Sequence, residues 1–337
     1  MVEVYERKEG TNKMKVTAAP NPQIVELLHT ISEKMKELSH PPLDILTPLQ
    51  SREYYKIARE FFISIPVDGG EVEEDFILSG EGHDIPIRVY TPSGQGPFPV
   101  LIYCHGGGWV FGDLDSSDNL CRYFTRHASI IVVSIGYRLA PEHKYPSAFQ
   151  DVIESVKWTF RNHERLNGDL KRIAIGGESS GGNLAAAASL YFRDSEDYHL
   201  YLQFLITPVL DNNFHTRSYR ENHQYNLTNE KMRWFWGHYL TDPCEGSEVY
   251  VSPLKAPSVK KMPDTLLITA EFDPLREEAI VFGDRLRTAG INVEHLHYED
   301  MVHSFVNMAG TVESARCALE EITERLYNLM HTEEKKG

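Results

Sequence analysis

Positive charge is scarce in this chain of 337 residues: Lys and Arg number 34 against 49 Asp and Glu, a formal net charge of −15. That balance argues against nucleic acid and against anionic membrane surfaces as partners. Cysteine is scarcer still. Cys104, Cys121, Cys244 and Cys317 are scattered without C-x-x-C spacing, so they read as free, mostly buried thiols in a reducing compartment. No stretch approaches the ~18 apolar residues of a transmembrane helix. The opening MVEVYERKEGTNKMK has no apolar core of signal-peptide length. A soluble, cytoplasmic protein without stable membrane insertion is the expectation. Apolar residues are not lacking: at 41 % of the chain they are ample for a core, and the length suits one large α/β domain or two smaller ones.

What is there centres on Lys171–Ala188, KRIAIGGESSGGNLAAAA. Arg172–Ile175 reads as a short apolar strand, and an Ala-rich helix follows the glycines. Strand, glycine-flanked serine and helix make the G-x-S-x-G elbow, here Gly177-Glu178-Ser179-Ser180-Gly181. The turn is so tight that side chains at the flanking positions would collide with strand and helix. It lifts the Ser179 hydroxyl above the sheet edge and aims unpaired helix N–H groups at developing negative charge. A phosphate-holding turn is the plainer alternative, but neither G-x-G-x-x-G nor G-K-[ST] is present in this stretch.

In chain order, residues 1–20 are polar. Ile24, Leu27, Leu28, Ile31 and Met35 then follow helical spacing up to His40-Pro41-Pro42, and a second helix is expected over Ser51–Phe61. These helices precede the first strands, so they cannot be crossovers and must pack on or beside the core. Glu74–Leu78 and Ile85–Tyr90 read as an antiparallel pair at one sheet edge. Pro99–Tyr103, Ile130–Ser134, Leu202–Thr207, Thr265–Thr269 and Val293–Tyr298 alternate with helices near Ser116–Ala128, Pro146–Arg165, Arg276–Thr288 and Val312–His331. Such alternation implies an α/β fold, a mostly parallel sheet with helices on both faces. One segment breaks the rhythm. Asp211–Tyr250 is too long for a simple crossover and is dense in aromatic residues, among them Trp234, Phe235 and Trp236. Together with the N-terminal helices (residues 1–60) it reads as a helical cap over a catalytic domain of residues 61–337.

Pro99–Tyr103 runs into Cys104-His105-Gly106-Gly107-Gly108-Trp109. Three successive glycines leave the backbone bare, so that amide N–H groups can face a cavity, which is what an oxyanion hole needs. Asp113, just beyond, is placed to tie this loop down. A nucleophilic serine needs an acid and then a histidine, in that chain order. In Ala270-Glu271-Phe272-Asp273-Pro274-Leu275 the choice falls on Asp273, with Glu271 as its rival and a helix N-cap as its plainer job. Of the late histidines, His295 and His297 lie within a strand and His331 in the terminal helix, which leaves His303 on a loop. Ser179 would attack an ester carbonyl, His303 would carry the proton, Asp273 would orient His303, and N–H groups of Gly106, Gly107, Gly108 and Ser180 would hold the oxyanion.

His105-Gly106-Gly107-Gly108-Trp109, Tyr137-Arg138-Leu139-Ala140-Pro141-Glu142, Gly177-Glu178-Ser179-Ser180-Gly181-Gly182-Asn183-Leu184, Ala270-Glu271-Phe272-Asp273-Pro274-Leu275-Arg276 and His303-Ser304-Phe305 together resemble the hormone-sensitive-lipase-like esterases of the α/β-hydrolase superfamily. The resemblance spans about residues 75–330. It implies the α/β-hydrolase fold with a helical cap, no cofactor, no metal, and hydrolysis of short- to medium-chain carboxylic esters through an acyl-enzyme. In that family Gly107, Gly108 and Ser180 correspond to the usual oxyanion donors. Two positions depart from the common wording. The elbow carries Glu178 and Ser180 where G-D-S-A-G-G is usual, and Ser304 follows the histidine where a glycine is usual; the longer Glu178 is expected to reach different partners around the triad. A receptor-like member that binds without hydrolysing, or a lactonase or amidase, is the alternative reading. Partners are limited to a small ester and, left open by the sequence, a second copy of the chain in a homodimer.

Overall fold

The structure, a computed structural model, describes residues 4–5, 14–15, 19–62, 65, 67, 71–78, 82–222 and 224–332. Most of the polar N-terminal stretch, residues 79–81 of the first expected turn and the charged tail 333–337 lie outside the described residues. Two short strands, β1 (Val4–Tyr5) and β2 (Met14–Lys15), pair with each other in a separate two-stranded sheet.

The main sheet opens with β3 (Glu71–Leu78) and β4 (Asp84–Thr91), an antiparallel pair in which Ile77 faces Ile85. It continues through β5 (Phe98–Cys104), β6 (Ile131–Ile135), β7 (Gly168–Glu178), β8 (Leu202–Ile206), β9 (Asp264–Phe272) and β10 (Val293–Val302). The order is β10-β9-β8-β7-β5-β6-β4-β3. From β6 to β10 every pairing is parallel, and β4 joins β6 antiparallel, so the first hairpin closes one edge as expected. Alternation along each strand feeds two cores. Val100, Ile102, Ile173, Ile175 and Leu205 pack under α4 (Ser147–Arg161), α5 (Ser180–Phe192) and α8 (Arg276–Thr288). Leu101, Tyr103, Ala174, Phe204 and Ile206 pack under α3 (Leu114–Ala128) and α9 (Glu313–His331). Helices on both faces are the reason β5 and β6 can be buried end to end.

The elbow strand is longer than Arg172–Ile175. β7 runs to Glu178 because Gly176 and Gly177 still pair with Tyr103 and Cys104 on one side and Phe204 and Leu205 on the other. The sheet thus delivers the chain directly to Ser179. The thiols also differ from expectation. All four are free, but only Cys104 and Cys121, on β5 and α3, are buried; Cys244 and Cys317 are exposed.

α1 (Pro22–Glu37) starts at Asn21, whose side chain caps the Gln23 N–H, with Pro22 at the first helical position. Ile24 and Leu27 are buried in the same cluster as Phe305, Val306 and Leu319. α2 (Pro48–Arg59) opens with a capping box between Thr47 and Gln50 and begins three residues earlier than its apolar pattern suggests. Arg52 fastens it to the loop after β5: Nε donates to Val110 O at 2.9 Å, and an Nη donates to Ala140 O while the guanidinium pairs with Glu142. Within 211–250 lie α6 (Arg217–Glu221) and α7 (Asn229–Tyr239). Trp234 Nε1 of α7 donates to Leu46 O at 3.2 Å, so the insertion and the N-terminal segment touch. Among the described residues no helix is long and apolar enough to cross a membrane.

Candidate active site

Ser179 stands between β7 and α5 with φ 56° and ψ −117°, a left-handed conformation that a residue with a β-carbon rarely adopts. The backbone is held there from both sides. Its N–H donates to Ile206 O at 2.9 Å, and its carbonyl accepts from Asn183 N and Val209 N at 3.0 and 3.1 Å. The flanking glycines are obligatory for packing. A β-carbon on Gly177 would fall on Cys104 O and the Gly181 backbone, and one on Gly181 would fall on Cys104 O and His105 O.

His303 is the first residue after β10. Its Nε2 lies 3.0 Å from Ser179 Oγ, and its Nδ1 lies 2.8 Å from Asp273 Oδ2. The other oxygen of Asp273 accepts the Leu275 N–H at 2.9 Å. Asp273 thus contacts the histidine with one oxygen and the chain just before α8 with the other, while the N-cap of α8 is Leu275 and not Asp273. All three side chains are buried, with residue exposures of 7 % for Ser179, 4 % for His303 and 1 % for Asp273. Burial disfavours the imidazolium, but the Asp273 charge and hydrogen bond, with Glu178 adding, outweigh it and raise the His303 pKa above its ordinary value; Lys231 opposes them. A neutral ring that donates Nδ1–H to Asp273 presents an unprotonated Nε2 to the serine hydroxyl.

The rival residues are engaged elsewhere. Glu271 Oε2 meets His297 Nε2 at 3.0 Å, and the same carboxylate pairs with Arg276. Thr269 Oγ1 lies between His295 Nε2 and His297 Nδ1, at 2.7 and 2.9 Å. His331 Nε2 donates to Ala128 O at 2.9 Å. Asp113 does not bind the glycine run. It caps α3 by accepting from Ser116 N at 2.7 Å and pairs with Arg59 at 3.5 Å.

Gly106, Gly107 and Gly108 follow β5 after His105, and Gly106 lies beside Glu178 of the elbow. Gly107 and Gly108 have φ of 120° and 60°, and among the described residues their N–H groups donate to no backbone carbonyl. The loop is braced from behind. His105 stacks on Tyr137 at 4.2 Å between ring centroids, and Tyr137 Oη donates to His105 O at 2.8 Å. Burial pushes the His105 imidazole down to about 4, so this ring is a neutral strut. Trp109 stacks on Tyr239 of α7 at 4.2 Å, and a β-carbon on Gly108 would run into the Phe235 ring. Ser180, next after Ser179, is the first residue of α5.

Several residues at the site carry no sequence signal. Asn222 Nδ2 donates to Glu271 O at 3.0 Å and approaches Asp273 O at 3.4 Å. Asn226 Nδ2 donates to His303 O, and Lys231 Nζ donates to Asn226 O at 2.8 Å. Ser218 Oγ donates to Pro274 O at 2.6 Å. The insertion thus grips the main chain of both the acid loop and the histidine loop. Among the described residues no group of three His, Cys, Asp or Glu side chains is arranged to hold a metal ion.

Comparison with known proteins places the fold and the family. A family model for the alpha/beta hydrolase fold matches residues 101–307. The chain is 39 % identical over 241 residues to the carboxylic ester hydrolase LipN of Mycobacterium tuberculosis, covering 69 % of this chain and 64 % of LipN. It is 31 % identical over 290 residues to the ethyl acetate hydrolase of Pseudomonas putida, covering 83 % of this chain and 91 % of that enzyme. Among solved structures, an ester hydrolase from the metagenome of Lake Arreo, complexed with a bipyridine phosphonate derivative, superimposes with a TM-score of 0.88 at 30 % identity, over 93 % of this chain and all of the other. The esterase of Pyrobaculum calidifontis does so with a TM-score of 0.84 at 31 % identity, over 92 % and 99 % of the two chains. With an elbow serine at the head of a mostly parallel sheet and esterases as its relatives, this chain is a carboxylic ester hydrolase and belongs to the hormone-sensitive-lipase-like family of the α/β-hydrolase superfamily.

Proposed function

We propose that the protein hydrolyses short- to medium-chain carboxylic esters with Ser179 as nucleophile, His303 as proton carrier and Asp273 as its orienting acid. The observation that carries this reading is the unbroken chain of hydrogen bonds from Ser179 Oγ through His303 to Asp273, at 3.0 and 2.8 Å. Ser179 Oγ attacks the acyl carbonyl while His303 Nε2 takes its proton, and the buried Asp273 carboxylate stabilises the imidazolium. The carbonyl oxygen, now negative, accepts from backbone N–H groups of the Gly106–Gly108 run and of Ser180, each donor worth about 3 kcal/mol. His303 returns the proton to the leaving alkoxide. A water then repeats the sequence on the acyl-enzyme and frees the acid.

Residues 1–60 and 211–250 act as the cap, and their aromatic side chains limit the acyl chain to about two to eight carbons, because pocket depth sets what the anchored carbonyl can accept. The short-chain reading is supported by the ethyl acetate hydrolase relative and by the packing of Phe235 against Gly108. We further place the enzyme in the cytoplasm, and as a homodimer whose contact would use the edge of β10, which among the described residues has no second strand beside it.

Initial rates on p-nitrophenyl esters of increasing acyl length, with an amide and a lactone alongside, test the substrate class. The expected profile peaks at short acyl chains and vanishes in Ser179→Ala. Turnover surviving that substitution, or amide cleavage faster than ester cleavage, overturns the reading. Elution volume on a sizing column tests the dimer.

A further inference from the structure

We propose that Glu178 is a positioning residue, whose carboxylate, bound to Ser304 and Asn307, holds the loop carrying His303 in register with Ser179. The inference rests on the catalytic reading of Ser179 and His303 and goes beyond it.

Glu178 is the last residue of β7 and only 6 % exposed. A buried carboxylate must find hydrogen-bond donors or a cation. Among the described residues no Lys, Arg or His lies within ion-pair distance of it. Its two oxygens are divided between two neutral donors: Ser304 Oγ–H on Oε1, and Asn307 Nδ2–H on Oε2 at 3.0 Å. Both donors belong to the turn that follows His303, where Asn307 N also donates to Ser304 O at 3.1 Å. Ser304 has φ 64° and ψ 21°. That left-handed conformation suits glycine, and a serine held in it needs a compensating contact, which the carboxylate supplies. Ser304 follows His303 directly, so holding Ser304 restrains the backbone from which the imidazole projects.

The same side chain reaches the oxyanion loop. Glu178 Oε2 stands so near Gly106 that a β-carbon there would lie 3.1 Å from it. One carboxylate therefore touches the histidine loop and the glycine run while its backbone continues into the nucleophile. An aspartate, shorter by one carbon–carbon bond of about 1.5 Å, would not span both.

Charge adds to position. The ionisable groups facing His303 are Asp273 from the acid loop, Glu178 from the elbow and Lys231 from α7. Those facing Glu178 are His303, Tyr55 of α2 and Tyr103 of β5, both tyrosines being held neutral by burial and by this carboxylate. Removing the Glu178 charge takes away one influence that favours the imidazolium. The His303 pKa then falls, and the acidic limb of kcat/KM moves to lower pH.

The test is the pH profile of kcat and kcat/KM on p-nitrophenyl acetate for wild type, Glu178→Gln, Ser304→Gly and the double variant, with Ser179→Ala as reference. Glu178→Gln should lose about ten- to a hundredfold in kcat, the scale of a small misplacement of a catalytic group, with KM nearly unchanged and the acidic limb displaced downward. Ser304→Gly should lose less, and the double variant should match Glu178→Gln alone, because the serine acts only through the carboxylate. Wild-type kcat and an unmoved acidic limb in Glu178→Gln, or losses that add in the double variant, overturn the proposal. Should Glu178→Gln fail to fold, Ser304→Gly decides: an unchanged kcat there overturns it as well. Residual turnover in Ser179→Ala would instead overturn the catalytic reading beneath it, so the two failures are told apart.

Discussion

Asn226, in the aromatic insertion, donates its side-chain N–H to the main-chain carbonyl of His303 at 3.0 Å, across 77 positions of sequence. Four residues earlier in the insertion, Asn222 donates to the carbonyl of Glu271 at the entrance to the acid loop. Both bonds go to backbone, so they fix the path of the loops rather than the identity of the side chains. Removing Asn226 takes the amide donor from a part-buried carbonyl and loosens the histidine loop. Asn226→Ala should therefore lower kcat by roughly tenfold, as expected for loosened alignment, with a smaller change in KM. Steady-state kinetics with short esters check this, and an unchanged kcat would reduce the contact to packing.

Loss of any triad member should be close to complete. Ser179→Ala and His303→Ala are expected to drop kcat by about 10⁴-fold or more, and their combination no further, since in the proposed mechanism the three side chains act as one proton-transfer unit. Asp273→Asn should fall comparably while Glu271→Gln, whose carboxylate faces His297 and Arg276, keeps most of its rate. An Asp273→Asn enzyme retaining more than roughly a tenth of wild-type kcat would transfer the orienting role to Glu271.

Activity should rise with pH in a single step. The free enzyme needs His303 neutral, and the Asp273 charge outweighs burial to hold the imidazole above its ordinary pKa of 6.5. The active fraction is therefore small below that pH and grows as pH climbs through the raised value. A kcat/KM profile measured from pH 5 to 9 shows the step, and a flat profile excludes a histidine base.

Phe235 should influence acyl length. Its ring lies where a β-carbon on Gly108 would stand and packs edge-on against Phe111 at 5.1 Å. Phe235→Ala opens space beside the glycine run and should shift the optimum toward longer acyl chains, by about 1–3 kcal/mol of discrimination per methylene accommodated. Gly108→Ala should lose most activity, because the new methyl meets the Phe235 ring at a left-handed backbone position. Chain-length panels for the two variants distinguish a pocket wall from a remote packing residue.

Deleting residues 1–60 should destabilise the protein as well as alter its specificity. Ile24, Leu27 and Leu46 are buried, and each apolar side chain of this size contributes about 1.5–3 kcal/mol on burial. Arg52 leaves with them, releasing the carbonyls of Val110 and Ala140 beside the oxyanion loop. Thermal melting and an acyl-chain panel on the truncated chain test both effects; unchanged kcat/KM and an unchanged profile would remove the N-terminal helices from the cap.

The sequence alone determined the parts that depend on local backbone demands. The elbow is legible because a turn as tight as the one at Ser179 excludes side chains at Gly177 and Gly181. The parallel sheet is legible because strands covered on both faces must be apolar throughout, as β5 and β6 are. Tertiary structure decided the choices between neighbours and the contacts between distant residues. Glu271 and Asp273 are two positions apart, but Thr269 and Glu271 share a face of β9 and turn toward His295 and His297 of β10. Asp273 lies past the end of that strand, where the chain has turned toward His303. The grip of Asn222 and Asn226 has no periodicity to announce it, and neither does the partnership of Glu178 with Ser304, 126 positions later. Such pairs arise only when the sheet brings the ends of β7 and β10 together, because a hydrogen bond is specified by the position of two atoms in space and by nothing in the residues between them.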